Sequence, residues 1–240
     1  VEPGSDLHCV TMSPSKVAAI LGVSRWESAY RLWHRMRGIT PQEPDRDDFR
    51  AGHALEGALD WFWREENPGW RLSRGEVQYV GGTSRFGFPF VSTLDRLASR
   101  GRWQNGVEFK SCRGWDEWGS DADECPADYL LQVITQMLLS GLTDRPAQLL
   151  VLNKIGCGHR TYTIPFNSDV ADMVVVECQQ FWASLQSDVP PPLDDTVATY
   201  ECVREQHPDI DQGIEVEIPG ELAVEYHEAW EADESATKRL

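Results

Sequence analysis

An α/β fold with a central mixed sheet flanked by helices is what this sequence predicts, on three observations. Stretches with helical hydrophobic spacing alternate with short β-rich runs from residue 13 to residue 187. One run, AQLLVLN at 147–153, is apolar throughout, as an interior strand covered on both faces has to be. The 240-residue chain is 41% hydrophobic and holds ten tryptophans, enough to bury a sizeable core.

The elements follow in order. SPSKVAAILGV has helical spacing after a serine, and ESAYRLWHRMRG continues as a second helix ending at Gly38. After the polar loop PQEPDRDD, a longer helix is expected from about Asp47 to Glu66, with Leu55, Leu59 and Phe62 on one face. The period then changes. EVQYV (76–80), FGFPFVSTLDRL (86–97) and NGVEFKSC (105–112), separated by glycine-containing turns, read as an antiparallel meander. PADYLLQVITQMLLSG (126–141) returns to helix and closes on glycine. AQLLVLN and RTYTIPF (160–166) add two strands, and NSDVADMVVVECQQFWASLQS forms a helix opened by Asn167 or Ser168. VPPPLDD reads as a stiff linker, so the expected main domain is 1–192, followed by an acidic extension over 193–240. That extension holds EVEIP and an amphipathic helix that stops without a cap, as a truncated end would.

Composition narrows the function. The six cysteines are dispersed with no CxxC pair, which disfavours a zinc or iron–sulfur site and fits free thiols in a reducing compartment. Nothing resembles a signal peptide or a membrane span, so a cytoplasmic location is expected. The net charge of −17 is uneven: residues 193–240 carry 14 acids and 3 bases, leaving a mildly acidic main domain that is compatible with a DNA substrate.

Only four lysines occur in the chain, and one of them, Lys110, stands two residues from Glu108 inside a β-rich run. Strand alternation puts Glu108 and Lys110 on one face, expected to look into a cleft, while Val107 and Phe109 anchor the other. A turn near GRWQNG would return this strand beside Asp95. Two neighbouring carboxylates repel unless a cation lies between them, and a hard divalent ion, magnesium or alternatively manganese, suits their oxygens. Glu56, on the preceding helix, is a candidate third carboxylate. Such an ion can activate water and polarise a phosphoryl group, with the lysine orienting the water or stabilising charge.

Asp95, a 12-residue gap and then Glu108-Phe109-Lys110 resemble the PD-(D/E)XK nuclease motif, although Leu94 stands where that motif has proline. The ordered series SKVAAILGVSRW, GHALE, STLDR, VEFKS and PADYLLQVITQMLLSG resembles, more narrowly, the YqaJ-type viral recombinase family, relatives of phage lambda exonuclease. The resemblance spans roughly residues 13–187 and implies a restriction-endonuclease-like core with magnesium-dependent 5′-to-3′ exonuclease activity on double-stranded DNA ends. It assigns catalysis to Asp95, Glu108, Lys110 and Gln132, and metal binding to Glu56, Asp95, Glu108 and the Phe109 carbonyl. Ser15, Arg25 and Tyr129 fall to DNA binding, with Gln132 and Tyr129 fixing Lys110 or touching phosphate. A single-strand annealing protein is the implied partner and a homo-oligomeric ring the implied assembly. Two alternatives stay open, an endonuclease of the same superfamily and an inactive DNA-binding module. Trp115 and Trp118 stand between base stacking and loop anchoring, and His53 and Cys112 read as structural.

Overall fold

A computed structural model of the chain describes residues 10–42, 47–81, 83–121, 124–209 and 213–237. VEPGS, the middle of the PQEPDRDD loop and the last three residues lie outside the described residues. The strands are β1 (Arg71–Leu72), β2 (Val77–Gly81), β3 (Phe90–Leu94), β4 (Arg96–Arg100), β5 (Trp103–Cys112), β6 (Ala147–Asn153) and β7 (His159–Ile164). Five of them form one mixed sheet in the order β1-β4-β5-β6-β7, and β2 pairs with β3 in a separate antiparallel ribbon. β5 is antiparallel to β4, with Arg96 opposite Val107, and parallel to the interior strand β6, with Glu108 opposite Leu149.

The stretch 86–97, expected as one strand of a single meander, is divided. Phe86 closes a short helical turn (Thr83–Phe86), β3 belongs to the ribbon, and β4 enters the main sheet. The chain breaks at Asp95, whose carboxylate accepts the Phe109 N–H at 2.7 Å in place of a backbone carbonyl. Aspartate side chains compete with the ladder in this way and interrupt it.

Alternation on β5 and β6 separates two layers. Val107, Phe109, Leu150 and Leu152 pack with Leu59, Trp63 and partly buried Leu55 and Phe62 of the long helix Asp47–Glu66, whose bounds coincide with the sequence expectation. Leu149 and Val151, on the other face, pack against Val133, Ile134 and Met137 of the helix Ala127–Ser140, which carries the chain from β5 across to β6. Gly141 ends that crossover helix in the left-handed region, φ 71°, where a side chain is disfavoured.

The N-terminal segment is a 3-10 turn (Pro14–Lys16) running into a single helical turn (Val17–Ile20), not one continuous helix, and a second helix follows at Ala29–Met36. Val91 N–H donates to the Met12 carbonyl and ties this segment to β3. The helix Ser168–Ser187 is capped by the Asn167 side chain, which accepts the amides of Asp169 and Val170. A further helix, Val197–Gln206, was not expected from the sequence. It lies against the helix Ala29–Met36: Cys202 is fully buried, Thr199 donates to Ser28 at 2.7 Å, and Arg31 pairs with Glu201 and Glu205. The first compact unit therefore runs through Gln206, past the expected boundary at 192/193. The second unit, 207–240, contains a helix at Gly220–Thr237 that exposes Leu222, Val224, Tyr226 and Trp230.

Because the helix Val197–Gln206 buries apolar and hydrogen-bonded groups, a chain ending at residue 192 is expected to melt below one ending at 206. Loss of about 2 kcal/mol would lower the midpoint by roughly 4–8 °C, measured by differential scanning calorimetry. Equal midpoints would make this helix an ornament of the fold.

Candidate active site

The break at Asp95 and the continuity of β5 bring three of the predicted side chains together. Asp95 leaves the ribbon just before β4, and its bond to Phe109 N–H holds it against β5. In an extended strand the N–H and C=O of a residue leave by the same edge, so the Phe109 carbonyl is on the Asp95 side. Glu108 lies on the opposite strand face from Phe109, and it does not look into a cleft: it is 3% exposed, beneath the helix Ala127–Ser140. Each oxygen of this buried carboxylate is occupied. Oε1 accepts from Lys110 Nζ at 2.5 Å and from Gln132 Nε2 at 2.5 Å, and Oε2 accepts from Gln136 Nε2 at 2.7 Å. Gln136 also donates to the Thr93 carbonyl at 3.0 Å, joining the helix to β3.

Charge is concentrated here. Burial and the neighbouring Glu108 charge push the Asp95 carboxyl up to about 8, against the pull of Lys110 and the Phe109 N–H. Burial alone would favour neutral Lys110, but the Glu108 and Asp95 charges raise its pKa above the ordinary value, so it stays an ammonium. It also faces the Tyr129 ring at 5.6 Å. A divalent cation fits this donor set, because two mutually repelling carboxylates and a carbonyl oxygen are hard ligands that a single lysine compensates only in part.

The other predicted residues are placed differently. Gln132 holds Glu108, not Lys110. Gln136 was not singled out from the sequence, and its spacing of one helical turn from Gln132 was the available signal. Glu56 is bonded to His53 Nδ1 at 2.9 Å and lies 3.6 Å from Arg96, which also holds Asp60. Among the described residues no three His, Cys, Asp or Glu side chains converge on one point, so Glu56 is not joined to Asp95 and Glu108 here. Tyr129 lies between Lys110 and Arg25, and its ring stacks on Trp118 with centroids 5.3 Å apart. Arg25 is paired with Asp128 at 3.0 Å and with Glu117. Ser15 is exposed on the 3-10 turn, 3.1 Å from the Ser13 hydroxyl. Trp118 is buried and Trp115 lies under Arg160 at 4.2 Å, so both anchor the loop after β5. Burial raises the Cys112 thiol, which leaves it unsuited to act as a nucleophile.

At this split sheet edge one aspartate, a buried glutamate and a lysine two residues on therefore meet, with the crossover-helix glutamines behind them. The model of the YqaJ-like viral recombinase domain matches residues 5–143, more than half the chain, and the chain belongs to that family. An alkaline exonuclease from Laribacter hongkongensis, LHK-Exo, superposes with a TM-score of 0.57 at 18% identity, covering 75% of this chain and 90% of its own. The same enzyme in complex with dAMP gives 0.58 at 17% identity, over 76% and 91% of the two chains. A phage-related exonuclease from Haemophilus somnus 129PT gives 0.54 at 12% identity, over 74% and 96%. No curated protein sequence matches the chain.

Two outcomes follow from the electrostatics. Removing Glu108 strands one buried and one half-buried glutamine amide and an ammonium at ~1–3 kcal/mol for each unpaired group, so Glu108→Ala is expected to lower the melting midpoint by roughly 5 °C or more, read by scanning fluorimetry. The second concerns pH. Asp95 holds its proton more tightly folded than unfolded, so protonation stabilises the fold. That contribution is complete below the ordinary value of 3.8 and is lost as pH rises through about 8. In chelator the melting midpoint is expected to fall between pH 6 and pH 9, and Asp95→Asn to remove most of that fall; a parallel slope in the variant would contradict the assignment.

Proposed function

We propose that this chain is a divalent-metal-dependent deoxyribonuclease that resects double-stranded DNA from its ends in the 5′-to-3′ direction, with magnesium as the ion and manganese as its substitute. The observation that carries the reading is the meeting of Asp95, Glu108 and Lys110 at the sheet break. Family membership and the likeness to proteins described as exonucleases support it.

Asp95, Glu108 and the Phe109 carbonyl would hold the metal, and Glu56 would join as an outer ligand once released from Arg96. When bound, the ion supplies Lewis acidity at the scissile phosphate and lowers the pKa of a water. Lys110, kept as an ammonium, donates to that water or to a non-bridging phosphate oxygen and stabilises the charge that develops there. The water adds to phosphorus and gives up a proton, the bond from phosphorus to the 3′ oxygen breaks, and the leaving oxygen takes up a proton. Gln132 and Gln136 act as positioning residues, since they keep both Glu108 oxygens oriented while the bond order at phosphorus changes.

Ser15, Arg25 and Tyr129 are assigned to the DNA strand. A terminal 5′ phosphate carries more charge than an internal one, and Arg25 is the cation that would prefer it, exchanging its exposed carboxylate partner Glu117 for phosphate. The partners in this reading are double-stranded DNA ends and a single-strand annealing protein, with a homo-oligomeric ring as the assembly and the cytoplasm as the location. Among the described residues no helix is long and apolar enough to cross a membrane.

Lys110→Ala and Glu108→Gln are each expected to reduce magnesium-dependent nucleotide release by ~10²-fold or more, measured on end-labelled linear duplex. Wild-type protein should leave closed circular DNA intact and degrade a 5′-phosphate end faster than a 5′-hydroxyl end. Nicking of the circle would favour the endonuclease alternative. Release from the 3′ end first would remove the polarity while leaving the metal site standing.

A further inference from the structure

The hairpin end of the sheet carries a second constellation, away from the carboxylates. Trp103 begins β5, five residues before Glu108, so at the rise of an extended strand the two lie about 17 Å apart. The Arg145 guanidinium lies 5.5 Å from the Trp70 ring centre and 5.3 Å from that of Trp103, and Arg102 lies 4.6 Å from Trp103. Arg100 pairs with Trp103 across the hairpin and approaches the turn before Trp70 at Gly69. Several other arginines are matched to acids, as Arg31 is to Glu201, Arg35 to Glu27 and Arg96 to Asp60. Among the described residues no carboxylate pairs with Arg100, Arg102 or Arg145, in a chain of net charge −17.

Beside these groups is a recess of about 210 Å³, lined by Asn67, Trp70, Asn105, Arg145, Gln148 and Thr163 among others. Its amides are incompletely used. Asn105 is 5% exposed, yet its side chain makes only a 3.4 Å contact to the Gly106 carbonyl. Gln148 accepts from Trp63 Nε1 at 2.8 Å, which leaves its NH2 group to donate. An amide acceptor and an amide donor thus share a recess walled by an indole, with arginines at its rim. The space is below the ~300 Å³ at which drug-sized ligands begin, so one ring system fits and a dinucleotide does not.

We propose that this end of the sheet is a binding site for single-stranded DNA, distinct from the catalytic centre. One unpaired base enters the recess beside Trp70 and meets the Asn105 and Gln148 amides, a neighbouring base stacks on Trp103, and the phosphates lie on Arg100, Arg102 and Arg145. Stacking platforms interleaved with cations are how proteins hold unpaired strands without reading sequence. A base inside a duplex is paired and stacked and cannot enter. An acidic peptide would use the arginines but has no ring for the recess. The strand left unpaired by resection is the natural occupant, and to that extent the inference rests on the proposed nuclease reading.

The test uses the full chain in chelator, a fluorescein-labelled oligothymidylate and fluorescence anisotropy. Trp103→Ala and Arg145→Ala should each weaken binding about tenfold or more, and Arg102→Ala, on the surface, a few-fold. Arg145→Lys should recover only part of the loss, because an ammonium keeps the charge without the flat stacking face. An oligonucleotide carrying 5-iodouracil should photocross-link to the peptide containing Trp70 or Trp103. Unchanged affinity in all three alanine variants overturns the site, as does an equal loss in Glu108→Gln, which would put binding at the carboxylates. Displacement by polyglutamate at equal charge would make it an acidic-protein surface and also overturn it. Magnesium-dependent cleavage, measured on the same preparations, separates the readings: its absence in wild type removes the nuclease assignment and leaves the binding result standing.

Discussion

Burying Glu108 is the constraint on which the rest of the molecule depends. An ionised carboxylate inside a sheet layer is costly unless both oxygens are matched, and removing one partner of such a group is more damaging than its presence is helpful. Lys110 comes from the same strand face and fills one position. The others need donors from across the layer, so the crossover helix has to present Gln132 and Gln136 over β5. That requirement fixes the register of helix on sheet more tightly than the surrounding Leu149, Val133 and Met137 contacts do, because apolar packing tolerates sliding that hydrogen bonds do not. Gln136 extends the link to the Thr93 carbonyl and so couples the ribbon to the main sheet.

Asp95 is the counterpart of this arrangement. A strand running unbroken from Phe90 to Arg100 would have kept one ladder, but its backbone would occupy the edge of β5 where a carboxylate is needed. The chain gives up that continuity, and Asp95 takes over one ladder bond through its side chain. The result is an edge of β5 on which a carboxylate and a main-chain carbonyl stand together, next to a buried glutamate. Its electrostatics oppose full ionisation, since burial and Glu108 drive Asp95 toward its protonated form. On the proposed reading, a cation would relieve this unfavourable charge, so the repulsion that weakens the metal-free fold would favour binding of an ion.

Much of this was legible in the sequence, and the limits have physical causes. Period located the helix Asp47–Glu66 and the crossover helix through their apolar faces, and an unbroken apolar run located the interior strand. The spacing of Glu108 and Lys110 fixed their common face through the two-residue repeat of a strand. It could not say whether that face met solvent or a helix, because both tolerate charge when donors are near. The strand break was hidden because residues 86–97 are β-rich throughout, and nothing local marks Asp95 as a replacement for backbone. The helix Val197–Gln206 was missed because its single buried line, Thr199 and Cys202, is too narrow to stand out beside exposed Val197 and Tyr200. Its docking depends on charges that lie 170 residues or more away in sequence, as Glu201 does from Arg31. Gln136 carried a spacing signal, but glutamine on a mostly apolar helix ordinarily faces water.

On the proposed reading, Arg25 shows how a binding group can be held ready in an acidic protein. Left alone, a partly buried guanidinium would collapse onto whatever carboxylate is nearest, and here Asp128 and Glu117 take that place while the Tyr129 ring supports its flat face. Asp128 is itself buried and also accepts the Tyr129 N–H at the start of the crossover helix, so it is fixed, whereas Glu117 is exposed. On the proposed reading, an arriving phosphate therefore needs to displace only the exposed partner, and the buried one keeps the guanidinium aimed. The exchange swaps one charge-assisted pair for another, so its net gain depends on how much negative charge the newcomer brings beyond that of a carboxylate. A terminal phosphate brings more than an internal diester, so in this reading the same acidic neighbours that make the chain look unsuited to DNA would be the filter that rejects the weaker ligand.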